Sequence, residues 1–213
     1  MAYAVKEIHY TLQGEGIHAG RPAVFLRFSG CNLWSGREED RPSGPGSCAR
    51  WCDTDFVGTN GPRGGRFDSA QDLAQAAAQA WPNGAGVRFI VCTGGEPLLQ
   101  LDTELIQALH REGFQVAIES NGTRPVPEGV DWVCISPKAG TPLVTQQGNE
   151  LKLVFPQADL PPEAVANLPF QHFLLQPLDG PDHDAHVRAV VAYCLAHPQW
   201  RLSLQTHKLL RIP

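Results

Sequence analysis

Val87-Arg88-Phe89-Ile90-Val91-Cys92-Thr93-Gly94-Gly95-Glu96-Pro97 is the stretch on which the fold turns. Val87–Cys92 reads as a strand, and it leads into a polar, glycine-rich tip. Upstream, Leu73, Ala76, Ala77, Ala80 and Trp81 recur at i, i+3, i+4, i+7 and i+8 behind a Ser69 or Asp68 cap, which predicts a helix. Downstream, Thr103–Glu112 is a second helix closed by Gly113, and Phe114–Ile118 is a second strand. Helix and strand keep alternating in both directions. Ala23–Ser29, Asp131–Ile135, Leu151–Phe155, His172–Leu175 and Arg201–Leu204 read as strands. Val187, Val190, Val191, Cys194 and Leu195 form a helical stripe that Pro198 stops, and Pro161–Leu168 is a weaker helix.

A strand reached through a helix pairs in parallel, by a right-handed crossover. The 213 residues are too few for eight full units, since a whole barrel takes ~250. An α/β fold of mostly parallel strands, as an open or partial barrel or a doubly wound sheet, fits. No repeat or linker divides the chain, so residues 1–213 are expected to form one domain with an irregular loop at 31–66. Hydrophobic residues make up 42% and charged ones 18%, enough apolar mass for a core. The net charge of −5, with no basic block, argues against nucleic acid or an anionic membrane as partner. No run reaches the ~18 apolar residues of a membrane span. The opening MAYAVKEIHY lacks the pattern of a secretory signal, so the cytoplasm is the expected setting.

Each strand runs into a polar tip. Gly30-Cys31 follows the first, and Thr93-Gly94-Gly95-Glu96-Pro97 the second. Glu119-Ser120-Asn121-Gly122, Ser136-Pro137-Lys138, Gln176-Pro177-Leu178-Asp179 and Gln205-Thr206-His207-Lys208 follow later ones. In a parallel sheet these tips share one rim, the rim where α/β folds bind ligands. A single polar tip is an ordinary loop; a whole row of them describes a site.

Cys92, Cys134 and Cys194 sit in apolar strand or helix patterns and read as small buried hydrophobes. Cys31, Cys48 and Cys52 fall in polar Gly/Pro-rich sequence, where burial gains little. Three thiolates there suggest a soft metal centre, zinc or iron–sulfur. Asn32–Phe67 contains no His as a fourth zinc ligand, which favours a [4Fe–4S] cluster with one open iron, although zinc or no metal stays open.

A cysteine trio after one strand and Gly-Gly-Glu-Pro after the next resemble radical S-adenosylmethionine (SAM) enzymes. Leu12-Gln13-Gly14-Glu15-Gly16, Trp51-Cys52-Asp53-Thr54, Ile135-Ser136-Pro137-Lys138 and Leu204-Gln205-Thr206-His207-Lys208 narrow this to the 7-carboxy-7-deazaguanine synthase (QueE) family. The resemblance runs from Gln13 to the carboxyl end. It implies a partial (β/α) barrel of radical SAM type with a modified cluster-binding loop. Sixteen and three residues separate the cysteines, where most of the superfamily has three and two. Long first intervals occur in this family; the three-residue gap Ala49-Arg50-Trp51 departs from its usual two.

The resemblance also implies a chemistry. The open iron binds the amino and carboxylate groups of SAM, and one electron splits SAM into methionine and a 5′-deoxyadenosyl radical. The radical takes hydrogen from C6 of 6-carboxy-5,6,7,8-tetrahydropterin, and the ring contracts with loss of ammonia to 7-carboxy-7-deazaguanine. By the same resemblance Cys31, Cys48 and Cys52 hold the cluster, and Thr54 holds a magnesium ion. Trp51, Asp53, Gly94, Gly95, Glu96, Ser136, Pro137, Lys138, Gln176, Pro177, Leu178 and Asp179 contact SAM. Leu12, Gln13, Gly14, Arg27, Thr93, Glu119, His207 and Pro213 contact the pterin.

Some of these carry a reason of their own. Gly94 and Gly95 let a backbone edge approach the methionine amino group. Arg27 breaks an apolar strand, and a charge pointing into a barrel needs an anionic partner, which the substrate carboxylate would supply. Taken alone, Asp53-Thr54-Asp55 reads as well as a cap or turn. The family further implies a homodimer and a reductant such as flavodoxin. A radical SAM activase of a partner protein would need no pterin pocket, and a zinc-stabilised binding module would need neither iron nor SAM.

Overall fold

The structure is a computed structural model that describes residues 2–44, 47–82 and 86–213. Tyr3–Leu12 (β1) and Pro22–Phe28 (β2) form an antiparallel hairpin, and Gly65–Phe67 (β3) pairs antiparallel with the start of β1. From β2 onward every pairing is parallel, through Arg88–Gly94 (β4), Phe114–Ser120 (β5), Trp132–Ile135 (β6), Gly148–Phe155 (β7), Phe170–Pro177 (β8) and Trp200–Leu202 (β9). The strands make one sheet in the order β3-β1-β2-β4-β5-β6-β7-β8-β9. Its ends, β3 and β9, do not pair with each other, so the barrel is partial.

The seven strands expected from the sequence are all present, shifted by a few residues at their ends. No strand is expected at β1 or β3. β1 hides because the register slips between Val5 and Glu7, a bulge that puts Val5 and Ile8 both in the core. A bulge breaks the period-2 alternation by which a strand is recognised.

Ala70–Ala80 (α1) starts at Ser69, whose hydroxyl accepts from Asp72 N at 3.1 Å. Thr103–Arg111 (α2) starts at Asp102, which accepts from Leu105 N at 2.9 Å and from the Tyr3 hydroxyl. His183–Ala196 (α3) and Thr206–Leu210 (α4) complete the helices. The helix expected over 161–168 is only a 3₁₀ turn at Pro162–Ala164, since two prolines and eight residues cannot nucleate more. On α3 the apolar stripe is wider than the buried seam: Val190 is fully buried, whereas Leu195 is 79% exposed and Cys194 only half-buried. Cys92 and Cys134 are buried, as expected.

Alternation along the strands sorts chemistry from packing. On one face Val24, Leu26, Phe28, Ile90, Cys92, Val116 and Ile118 pack under α1 and α2. A second core beneath α3 joins Ile135, Leu151, Leu153, Leu175 and Trp200. On the inner face Ala23, Phe89, Val91 and Ala117 form an apolar floor. Two residues further along the same strands the inner face turns polar, with Thr93 after Val91 and Glu119 after Ala117; Arg27 is paired in register with Thr93.

Candidate active site

Above that floor lies a cavity of about 400 Å³. Cys31, Cys48 and Cys52 line it, and so do Trp51, Asp53, Thr54, Gly94, Gly95, Ser136, Lys138 and Gln176. Leu12, Gln13, Gly14, Arg27, Thr93, Glu119, His207 and Pro213 line it as well. The elements that bring them together are the ends of the strands and the loop after β2.

That loop is built around its own small core of Trp34, Ala49 and Phe56, against which Cys31 and Cys52 pack. Arg41 lies over the Trp34 ring and donates to the carbonyls of Ala49 at 2.7 Å and Cys52 at 3.1 Å. Pro45 and Gly46 of the 31–66 loop lie outside the described residues. The three-residue gap has a local consequence. Ser47–Arg50 is a 3₁₀ turn, and Cys52 N donates to Cys48 O at 2.7 Å, one helical turn back. Residues one turn apart share a face.

The donor set is sulfur alone, in apolar surroundings. Burial pushes the Cys48 thiol up to about 11; Lys138 opposes this, and Cys52 and Cys31 add to it. Burial likewise raises Cys31. Ligand thiols must be thiolates, so the trio calls for a positive centre. In a cluster each thiolate takes a different iron, so three cysteines brought to one cavity fit a [4Fe–4S] cluster with one open iron.

The glycine edge serves the fold. A Cβ on Gly94 would lie 2.5 Å from Phe28 O, and one on Gly95 2.3 Å from Gly30 O and 2.6 Å from the Cys31 Cβ. These glycines let the β4 tip press against the backbone that leads into the first cysteine. Glu96 is fully buried and lies off the cavity. Its carboxylate accepts from Leu98 N at 2.9 Å, Ser120 Oγ at 2.9 Å and Asn121 N at 2.8 Å, tying the β4 tip to the β5 tip. Burial raises its pKa, and those donors pull against the rise.

Pro137, Pro177, Leu178 and Asp179 also lie off the cavity. Pro137 faces a smaller apolar pocket with Leu143 and Leu160. Leu178 N donates back to Phe155 O at 2.9 Å, which turns the β8 tip away after Gln176. Asp179 is held by Lys208 at 2.5 Å, and Lys208 also reaches Asp53 at 2.5 Å.

Arg27 already has an anionic partner in the chain: its Nε donates to Glu7 Oε1 at 2.8 Å. Among the described residues its two terminal nitrogens donate to no protein group, so the fork still offers a bidentate face. Gly14 is pressed against His207, where a Cβ would lie 2.2 Å from Nδ1. Lys138 Nζ donates to Ser136 O at 2.8 Å and lies 5.7 Å from the Trp51 ring. Pro213 O accepts from Thr11 Oγ1 at 3.0 Å.

The sequence reading passes over Glu15, Lys152 and Gln205, which also line the cavity. Gln205 Nε2 donates to Glu15 Oε1 at 2.9 Å, and Lys152 pairs with Glu15 and Glu119. The missed signal is the one that singles out Arg27, a lone cation inside an apolar strand.

The comparisons with known proteins agree with this geometry. The model of the Radical SAM superfamily matches residues 47–151, beginning at the turn that carries Cys48 and leaving out Cys31 and the loop residues up to 46. The chain is 61% identical to the 7-carboxy-7-deazaguanine synthase of Bordetella pertussis, over all of both chains. It is 31% identical to that of Synechocystis sp., covering 100% of this chain and 94% of the other. The crystal structure of QueE from Escherichia coli superposes with a TM-score of 0.69 at 26% identity, covering 96% of this chain and 94% of that one. With the cysteine trio, the glycine edge and the polar inner face gathered in one cavity of a partial barrel, the chain belongs to the 7-carboxy-7-deazaguanine synthase family of radical SAM enzymes.

Proposed function

We propose that the chain converts 6-carboxy-5,6,7,8-tetrahydropterin to 7-carboxy-7-deazaguanine with loss of ammonia. The observation that carries this is that a single cavity holds the three cysteines together with Arg27, Thr93 and Glu119 on the inner face of the sheet. When bound, a [4Fe–4S] cluster with SAM supplies the one-electron reduction and the carbon-centred radical that start the reaction. Cys31, Cys48 and Cys52 hold the cluster. Trp51, Asp53, Ser136, Lys138 and Gln176 surround SAM, Lys138 as a point charge. Gly94, Gly95 and Glu96 shape the tip beside it, and Asp179 acts through Lys208.

Arg27 takes the substrate carboxylate with its free fork, and Glu119 accepts from the amino and ring N–H groups of the pterin. Leu12, Gln13, Gly14, Thr93, His207 and Pro213 complete its walls. Phe25, packed against the apolar cluster of Phe89, Val91 and Ala117, adds an apolar ring to those walls. The Thr54 hydroxyl is a hard ligand for Mg²⁺. Its neighbours Asp53 and Asp55 are engaged by Lys208 and by Lys6 at 2.8 Å, which leaves the rest of the ion's shell to substrate oxygens and water. The polar inner face has no use in an activase of a partner protein.

The same reading takes the whole chain as one domain, working as a cytoplasmic homodimer with a flavodoxin-type electron donor. Its support is the resemblance and one continuous sheet. The test is anaerobic turnover. Brown protein with about four irons per chain should form deazapurine and 5′-deoxyadenosine from SAM and the carboxypterin. Cys52→Ala should be colourless and inactive. Deoxyadenosine without deazapurine would remove the substrate assignment and keep the superfamily.

A further inference from the structure

β7 ends in Leu151-Lys152-Leu153-Val154-Phe155, and Lys152 is the one cation in that apolar run. Its side chain is 5% exposed and lines the cavity. A buried ammonium is tolerated only against opposite charge. Two carboxylates supply it: Glu15, by a close ion pair, and Glu119 at 3.3 Å. Their other oxygens are held by amides, with Gln205 Nε2 donating to Glu15 Oε1 and Gln13 Nε2 to Glu119 Oε1, both at 2.9 Å. Every carboxylate oxygen of the pair thus has one protein donor and keeps one acceptor position. Burial draws the Lys152 pKa down, and Glu119 and Glu15 more than reverse it, so the lysine is charged at neutral pH.

Two carboxylates facing one buried point cannot both ionise without such a cation; one would take a proton and become a donor. The donor edge of a pterin, its 2-amino group and the adjoining ring N–H, needs acceptors. We infer that Lys152 is a positioning residue that keeps Glu15 and Glu119 fixed as an acceptor pair for that edge. The inference rests on the substrate reading above and extends it to what selects the heterocycle, at the end opposite the carboxylate taken by Arg27.

The test uses reconstituted holoenzyme. Lys152→Met should raise KM for the carboxypterin about 100-fold, with kcat at saturation, iron content and SAM affinity little changed. Lys152→Met combined with Glu15→Gln restores the charge balance and should recover about ten-fold of that loss, which a packing role would not. Wild type should discriminate against a substrate analogue lacking the 2-amino group, and Lys152→Met should largely lose that discrimination. If Lys152→Met does not retain iron, Lys152→Gln is read the same way. An unchanged KM, no recovery in the double variant, or unchanged discrimination against the analogue overturns the inference. No deazapurine from wild type would instead overturn the substrate reading, so the two failures are distinct.

Discussion

The ammonium of Lys208 stands 2.5 Å from the carboxylate of Asp53, so helix α4 is tied to the residue that follows the third cysteine. The same ammonium holds Asp179 on the β8 tip. Two segments of the proposed SAM site are thereby fixed by one cation at the cavity's edge. The groups are between a third and a half exposed, so the pair is worth at most about 1 kcal/mol after solvent screening. Lys208→Met should raise KM for SAM about five-fold with little change in kcat. The wild-type KM should climb with ionic strength, and the variant's should not. Equal salt dependence in the two proteins would show that the clasp has no role.

Gly95→Ala separates packing from ligand approach. The added methyl would press on Gly30 O and the Cys31 Cβ, neither of which is the end of a flexible side chain. Overpacking of this kind costs about 2 kcal/mol. The expected result is a lower Tm for the apoprotein, measured without SAM, together with reduced iron uptake. An apoprotein of unchanged Tm whose only defect is SAM affinity would return the glycine to the ligand.

Much of this is legible in the sequence, and the illegible parts have physical causes. Val24, Leu26 and Phe28 alternate cleanly because β2 is regular, so its inner residue Arg27 is found at once. β1 carries Lys6, Glu7 and His9 in its middle and a bulge between Val5 and Glu7, so neither hydrophobicity nor period marks it. Without β1, the partner that Arg27 finds in Glu7 cannot be foreseen. Glu96 reads as a ligand contact only because it stands in the same Gly-Gly-Glu-Pro motif as its neighbours. Its three backbone and hydroxyl donors come from Leu98, Ser120 and Asn121, and the latter two meet it only through the parallel register of β4 and β5. Gln13, Thr93 and His207 follow from the resemblance alone, and the structure does bring them to one cavity.

The acid limb of stability should report the Glu15–Lys152 contact. Burial raises the Glu15 pKa, and Lys152, with help from Gln205 and His207, overcomes this and lowers it from 4.5 to about 2. A carboxylate depressed on folding stabilises fully above its unfolded value, and that contribution is lost as pH falls through the folded value. Wild type should therefore lose stability between about pH 4.5 and pH 2, and Glu15→Gln should show a flatter dependence over the same window. Urea midpoints measured across that range decide it; parallel curves would place the acid sensitivity elsewhere.

The last prediction concerns the irregular loop at 31–66, rich in Gly, Pro and charge and, among its described residues, without a regular strand or α-helix between Cys31 and Gly64. Arg41 organises it: its guanidinium lies 4.5 Å from the Trp34 ring centroid and caps the carbonyls of Ala49, inside the turn between the second and third cysteines, and of Cys52 itself. Glu38 accepts from the other side of the same guanidinium, at 2.6 and 2.7 Å. Arg41→Met keeps the apolar contact with Trp34 and removes both donors to the turn. Two carbonyls then lose their partners, and the geometry of Cys48 and Cys52 is left to the bonds that Trp51 N and Cys52 N donate to Cys48 O. The global fold, built on the sheet and its helices, should keep its Tm, while the cluster should bleach several-fold faster in air than in wild type. Glu38→Gln leaves the two donors to the turn in place and should bleach at the wild-type rate. Equal bleaching of Arg41→Met and wild type would mean that the small core of Trp34, Ala49 and Phe56 holds the cysteines without help.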